Sequence, residues 1–259
     1  MNGRSHLLQV EGVSKSFGGL TAVSGVSFDV KSQVIKALIG PNGAGKTTMF
    51  NLISGILSPT SGKITYGGKA ISGSKPYSVA SQGIARTFQI VRLFREMTVL
   101  ENVMMGAQTW SPGRFWDALF QLPTARKAEA DIREAALEWL AFVDLLGKAN
   151  ESAANLPFGD QRMVELARAL AARPSLLLLD EPASGLNDAE RNSLASLLES
   201  LRERGMTVLL VEHNMDLVMN ISDEIVVLNL GEKIAEGSPS QIRRQAEVIA
   251  AYLGEESHA

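Results

Sequence analysis

"VIKALIGPNGAGKTTMFNLI", residues 34–53, decides how the rest of the chain is read. A short apolar run of strand character ends in a glycine-rich turn, and the turn opens into a stretch with helical apolar spacing. Gly40, Gly43 and Gly45 let the backbone turn its N–H groups toward an anion, and the N-terminus of the following helix adds its positive dipole end. Gly40–Thr47 fits G-x-x-x-x-G-K-[ST] in the strand–loop–helix context that a phosphate-binding loop needs. Lys46 is expected to reach the β- and γ-phosphates of a nucleoside triphosphate and Thr47 to ligand Mg²⁺. Pro41, Asn42, Ala44 and Thr48 complete the nucleotide cradle. The competing explanation is a chance glycine-rich turn, and the flanking strand and helix argue against it.

Further along, "SLLLLDEP" (175–182) ends an apolar strand in two acids. Ligands of α/β sheets sit at the carboxyl ends of the strands, where Asp180 is expected to hold Mg²⁺ directly or through water. Glu181 is then suited to orient an attacking water. An isolated acidic pair would more often be a solvated strand end, but a phosphate loop in the same chain shifts that balance. Gln89 closes "GIARTFQ" and His213 closes "TVLLVEH". Each alone would pass for a capping residue. Beside a phosphate loop, Gln89 is a candidate metal ligand and catalytic residue, and His213 a candidate donor to the γ-phosphate. Phe17, near the end of "LLQVEGVSKSF", could stack on adenine, although a lone phenylalanine is more often core.

The rest of the chain sets the frame. Its 259 residues can bury a full core. A net charge of −3 offers no basic face for nucleic acid. With no cysteine, disulfides and thiolate metal sites are excluded. The start, "MNGRSHLL", lacks the apolar core of a signal peptide, and "LLLL" at 176–179 is far too short to span a bilayer. The expectation is a cytoplasmic chain whose membrane role, if any, comes through partners. Short β segments fill the first third ("LLQVEGVSKSF", "VSFDV", "KITYGG"). Helical patterns follow in "TVLENVMMGA" and "RKAEADIREAALEWLAFVDLLG", joined by a stretch holding Trp110, Phe115, Trp116 and Phe120. From Gln161 helices and strands alternate again, which implies a largely parallel sheet covered on both faces. Ser238 and Pro239 read as a helix start, and Ile242, Ile249 and Leu253 as the packing stripe of a tail helix.

Taken in order, these pieces resemble the ATP-binding cassette ATPases over essentially the whole chain. The phosphate loop at 40–48, Gln89, a signature at 156–160, "LLLLDEP", "SGLN" at 184–187 and His213 match that family in sequence and spacing. The resemblance implies an α/β fold with a P-loop, RecA-like core, a mostly parallel sheet, an N-terminal antiparallel β portion and an inserted helical subdomain. It implies one cassette domain over 1–259, with its core at 1–91 and 160–237, the helical subdomain at about 92–159 and a tail at 238–259. It also implies ATP and Mg²⁺ as cofactors and a head-to-tail dimer with a second cassette, each ATP lying between one subunit's phosphate loop and the other's signature. "ARTFQIVRLFREMTVLENV", the ending "VIAAYLGEE" and the long insertion at about 106–128 look like cassettes of branched-chain amino-acid and related amide-type importers. Those assemblies imply membrane permease subunits, a periplasmic solute-binding protein and attachment to the inner face of the membrane. A soluble cassette ATPase that remodels DNA or ribosomes, or a regulatory ATP-binding module, are the alternatives. The single cassette and the absence of a basic face weigh against the first.

The signature itself departs from the family's Leu-Ser-Gly-Gly-Gln. Leu156 and Gly159 match, while Pro157, Phe158 and Asp160 replace the other three. Proline removes a hydroxyl and one N–H, and hydrogen bonds to charged groups are worth about 1.5–3 kcal/mol. Gly159 still allows close backbone approach, and the helix starting near Asp160 still aims its N-terminus at an anion. Asp160 suits the helix start but repels a triphosphate unless it meets a cation; Arg162 is the nearest in sequence. The expectation is a working but weakened signature.

Overall fold

The computed structural model describes residues 6–89, 92–107 and 123–256. The aromatic stretch with Trp110, Phe115, Trp116 and Phe120, and the side chain of Leu253, lie outside the described residues.

Two sheets carry the fold. The strand order β2-β1-β4-β5 forms an antiparallel sheet from β1 (His6–Phe17), β2 (Leu20–Lys31), β4 (Ser61–Tyr66) and β5 (Lys69–Ala70). The second sheet has the order β10-β9-β3-β8-β7-β6. In it β9 (Glu224–Asn229), β3 (Ile35–Ile39), β8 (Thr207–Val211), β7 (Leu176–Asp180) and β6 (Ile84–Arg86) run parallel. β10 (Glu232–Gly237) joins β9 antiparallel, through a turn in which Leu230 takes φ +46° and Gly231 φ +84°. That parallel arrangement with an antiparallel portion at the N-terminus is the fold the motif order implies.

The chain folds this way because β3, β7 and β8 are buried at every position. Strands covered on both faces need continuous apolar sequence rather than alternation. Each of the four leucines of β7 is worth about 1.5–3 kcal/mol when fully buried. One face packs against the antiparallel sheet and the helix Lys46–Ile53, through Leu38, Met49, Phe50, Leu178 and Leu209. The opposite face packs Ile39, Leu177, Leu179 and Leu210 against Leu166 and Leu170, Leu194 and Leu198, and Val218. These come from the helices Phe158–Ala171, Asp188–Glu203 and Met215–Ile221. A third cluster joins the helices Val99–Ala107 and Pro123–Phe142 to Val164, Ala167 and Ala171. The helix Phe158–Ala171 therefore belongs to two cores at once, one stripe facing the sheet and another the helical layer.

Lys36 contradicts the apolar reading of "VIKALI": it is fully buried in β3. Its ammonium donates to Asp29 O at 2.5 Å, Glu224 Oε2 at 3.0 Å and Glu236 Oε1 at 2.5 Å. A buried lysine persists only with such partners. The tail also differs from the expected single stripe. Pro239–Ile242 is a short helix, with the Ser238 N–H bonded to Gln241 Oε1 at 2.8 Å. A turn at Arg243–Gln245 then resets the helical phase before Ala246–Glu256. Ile242 is buried, Ile249 is exposed, and Val248 with Tyr252 takes the packing role.

Candidate nucleotide site

The phosphate loop follows β3 and is braced from two sides. Gly45, at φ +99°, passes so close to β2 that a methyl group there would lie 2.6 Å from Ala22 O. The Gly231 N–H donates to Ala44 O at 3.2 Å, and the Ser24 N–H to Gly231 O at 2.8 Å. The turn between β9 and β10 thus holds the loop against β2. Lys46 is buried, and its ammonium donates to Gly40 O at 2.7 Å and Pro41 O at 2.8 Å.

A cavity of about 290 Å³ opens above the loop. Its walls include residues 42–48, Gln89, Glu181 and His213. Gln89 Nε2 donates to Glu181 Oε2 at 2.9 Å, and His213 Nε2 lies 2.9 Å from Glu181 Oε1. An ionised carboxylate only accepts, so both neighbours donate and the histidine hydrogen sits on Nε2. Glu181 is held at φ +50°, a conformation uncommon outside glycine that recurs at functional sites, with its N–H bonded to Val211 O at 2.9 Å. The fold therefore brings Lys46, Thr47, Gln89, Glu181 and His213 to one cavity. Gln89 lies three residues beyond β6 and His213 two beyond β8, in the loops rather than at the strand ends where the sequence reading had them. A short strand followed by a loop lets each side chain turn back over the sheet's carboxyl edge.

Asp180 is buried at the end of β7, and its Oδ2 accepts from Arg86 at 2.8 Å. Thr47 and Gln89 line the cavity and Asp180 does not; the Thr47 hydroxyl, the Gln89 amide oxygen and the Asp180 carboxylate are hard oxygens of the kind Mg²⁺ takes. Phe17 is half exposed at the end of β1, beneath Lys15 Nζ at 5.1 Å from its ring centroid, and is absent from the residues lining the cavity.

Leu156–Asp160 stand apart from this cavity within the chain. The helix begins at Phe158, with Pro157 as its N-cap and no side-chain cap. Asp160 meets Lys148, Nζ to Oδ2 at 2.5 Å, and that pairing raises the lysine's pKa. Arg162 turns elsewhere, donating to Phe88 O at 3.2 Å and Gln89 O at 2.8 Å, with its guanidinium over the Phe158 ring. The cation for Asp160 thus comes from a 3₁₀ turn earlier in the chain, and Arg162 anchors the backbone that carries Gln89. Phe158 in turn packs on Gly185, where an added methyl would lie 2.8 Å from its ring. Gly159 packs on Glu190, where an added methyl would lie 2.4 Å from Oε1. Glu190 is fixed by a capping box with Asn187, its Oε2 accepting the Asn187 N–H at 2.8 Å.

Three contributors were missed in the sequence. Glu212, buried next to His213, accepts the N–H groups of Ala183 at 2.7 Å, His213 at 2.9 Å and Asn214 at 3.2 Å. An acid directly after a fully apolar strand was the available signal. Arg86 and Lys148 carried none, since an arginine in a strand and a lysine in a turn are ordinary surface residues until their partners are known.

A second concavity, about 500 Å³, lies between β6, the helix Pro76–Ser81 and the helix Phe158–Ala171. Ile56, Phe88 and Phe94 give it apolar walls, and Arg86, Arg168 and Glu165 supply charge. Glu165 is buried; that burial raises its pKa, with Arg168 pulling the other way.

A triphosphate cradle with an acid clamped between a glutamine and a histidine at a parallel sheet's edge defines a nucleoside-triphosphatase of the P-loop class. Comparison with known proteins makes the class specific. The ABC transporter family model matches residues 23–184, and a model described as branched-chain amino acid ATP-binding cassette transporter matches 232–258. The chain belongs to the ABC transporter ATPases. It is 47% identical over 250 residues to the high-affinity branched-chain amino acid transport ATP-binding protein BraF of Pseudomonas aeruginosa, covering 96% of this chain and 98% of that protein. Among solved structures, the ADP conformation of an ATP-binding cassette of an ABC transporter matches with TM-score 0.84 and 32% identity, covering 96% and 99% of the two chains. A dimeric post-hydrolysis cassette bound to ADP and Pi matches with TM-score 0.75 and 27% identity, over 90% and 98%. No helix among the described residues is long and apolar enough to cross a membrane.

Proposed function

We propose that this chain is the ATP-hydrolysing subunit of an importer for branched-chain amino acids or related amide or amino-acid-like solutes. The observation that carries the catalytic half is the Glu181 carboxylate, held at 2.9 Å by both Gln89 and His213 at the mouth of the phosphate-loop cavity. The similarity to BraF, continued in the C-terminal match at 232–258, supports the solute class.

In this reading Lys46 and the loop N–H groups neutralise the β- and γ-phosphates. Thr47, Asp180 and Gln89 would hold Mg²⁺, which when bound would screen charge on the phosphates. Glu181 accepts a proton from the attacking water, and His213 and Gln89 set the direction of its two oxygens. With a γ-phosphate in the cavity, the His213 Nε2–H can turn from Glu181 to donate to it as charge gathers there. Phe17 stacks on the adenine from the end of β1.

Leu156–Asp160 reach the ATP of a second cassette in a head-to-tail dimer, consistent with their separation from the cavity in their own chain. With Lys148 on Asp160, the signature meets a triphosphate without an uncompensated acid, and the helix N-terminus supplies the attraction. Residues of about 92–159 act as a helical subdomain that carries the signature. The 500 Å³ groove, with Ile56, Phe94 and Tyr77 exposed at or near its edges, receives a permease segment and keeps the chain on the inner face of the membrane. A periplasmic solute-binding protein then delivers the solute to the permeases.

Reconstitution tests the reading. The chain, co-expressed with candidate permeases in vesicles, should hydrolyse ATP faster when a branched-chain amino acid and its binding protein are added. Turnover indifferent to every such solute would reject the importer assignment.

A further inference from the structure

Arg86 sits where four parts of the molecule meet, and no role above uses it. It ends β6, three residues before Gln89, and its side chain is only 8% exposed. One guanidinium nitrogen donates to Asp180 Oδ2 at 2.8 Å. The other donates to Asn51 Oδ1 and Ser54 Oγ, both at 2.8 Å, at the far end of the phosphate-loop helix. The planar group is flanked by Phe50 at 5.6 Å and Phe88 at 5.2 Å. Arg86 is also one of the residues lining the 500 Å³ groove.

We infer that Arg86 is a positioning residue for the metal-binding carboxylate. A guanidinium held at its second nitrogen by two acceptors and packed against two rings is itself fixed in place, and so it fixes the position of the single carboxylate oxygen it grips. It occupies Oδ2 of Asp180 and so dedicates Oδ1 to the cation or its water. The same positive charge lowers the attraction of Asp180 for Mg²⁺. Arg86 thus trades metal affinity for orientation, and it couples the spacing of the phosphate-loop helix to that of β7. The inference rests on the assignment of Asp180 as the metal carboxylate.

The test compares wild type with Arg86→Gln, Arg86→Lys, Asn51→Ala and Asp180→Asn. Free Mn²⁺ is titrated by electron paramagnetic resonance on the ADP-loaded protein, ADP affinity is measured without metal, and kcat is measured with Mg²⁺-ATP. Arg86→Gln should tighten Mn²⁺ about three- to tenfold, leave metal-free ADP affinity unchanged and lower kcat at least tenfold. Arg86→Lys should keep wild-type Mn²⁺ affinity and recover part of kcat. If Arg86→Gln does not fold, Asn51→Ala decides: it keeps the charge but removes one of the two acceptors that hold the second nitrogen, so kcat should fall with Mn²⁺ affinity intact. Unchanged Mn²⁺ affinity and kcat in Arg86→Gln, or Mn²⁺ and ADP affinities weakened together, would overturn the inference, as would unchanged kcat in Asn51→Ala. Unaltered Mn²⁺ affinity in Asp180→Asn would remove the metal assignment itself and the inference with it.

Discussion

Around Lys46 the architecture is set by backbone, by strand ends and a glycine loop braced against β2 and the β9–β10 turn, and onto it the side chains of Gln89 and His213 pin Glu181 from the two loops that flank it. Around Gly159 the side chains are positioned by other side chains: Lys148 on Asp160, Phe158 on Gly185, Glu190 on Gly159 and Arg162 on the Gln89 backbone. The first half of the site is written into the central sheet. The second is a surface patch whose shape follows the segment 184–190 and the loop before Gln89. Substitutions in the first half should therefore damage chemistry, and those in the second should change how the signature sits.

The largest separation is expected at Glu181. Glu181→Gln should lower kcat by about 10²–10⁴-fold, the usual range for loss of a general base, while ATP affinity stays within a few-fold. Steady-state turnover beside fluorescent-nucleotide binding checks it, and equal losses in both would blur the two halves. Next comes Glu212→Ala. It leaves the N–H groups of Ala183, His213 and Asn214 without their acceptor, and a buried unpaired group costs about 1–3 kcal/mol. Urea unfolding should show a loss of several kcal/mol, and His213→Ala alone should show far less.

On the signature side the effects are smaller. Lys148→Met should weaken ATP-driven dimerisation a few-fold, as expected for a partly exposed pair, and adding Asp160→Gln should restore it. Size-exclusion with light scattering reads both, and a double variant no better than Lys148→Met would show that Lys148 acts other than through Asp160. The smallest effect is a pH slope. Burial raises the pKa of Glu165, so the folded chain binds more protons than the unfolded one between the ordinary carboxylate value and that raised value. Stability should fall as pH rises through that window, and Glu165→Gln should flatten the fall in chemical denaturation.

How much of this was legible follows the same division. The phosphate loop, Asp180, Glu181, Gln89 and His213 could be picked out because motif spacing and apolar strands report backbone architecture, and that architecture brings them together. Lys148, Arg86 and Glu190 could not, since their partners lie 12, 94 and 31 residues away and no local pattern marks such pairs. Lys36 shows the limit of reading burial from composition: it breaks the apolar run "VIKALI", yet Glu224 on the adjacent strand β9 and Glu236 on β10 let it sit fully inside. Tail periodicity misled for a related reason, because the turn at Arg243–Gln245 breaks a stripe that continuous numbering carries through.

The central claim is that a signature written Leu-Pro-Phe-Gly-Asp still closes on the nucleotide of a second cassette. Light scattering on Glu181→Gln protein with and without Mg²⁺-ATP tests it most directly. The account predicts a monomer without nucleotide and a dimer with it, lost again when Gly159 is replaced by aspartate. A protein that binds ATP and remains monomeric at every concentration would contradict it.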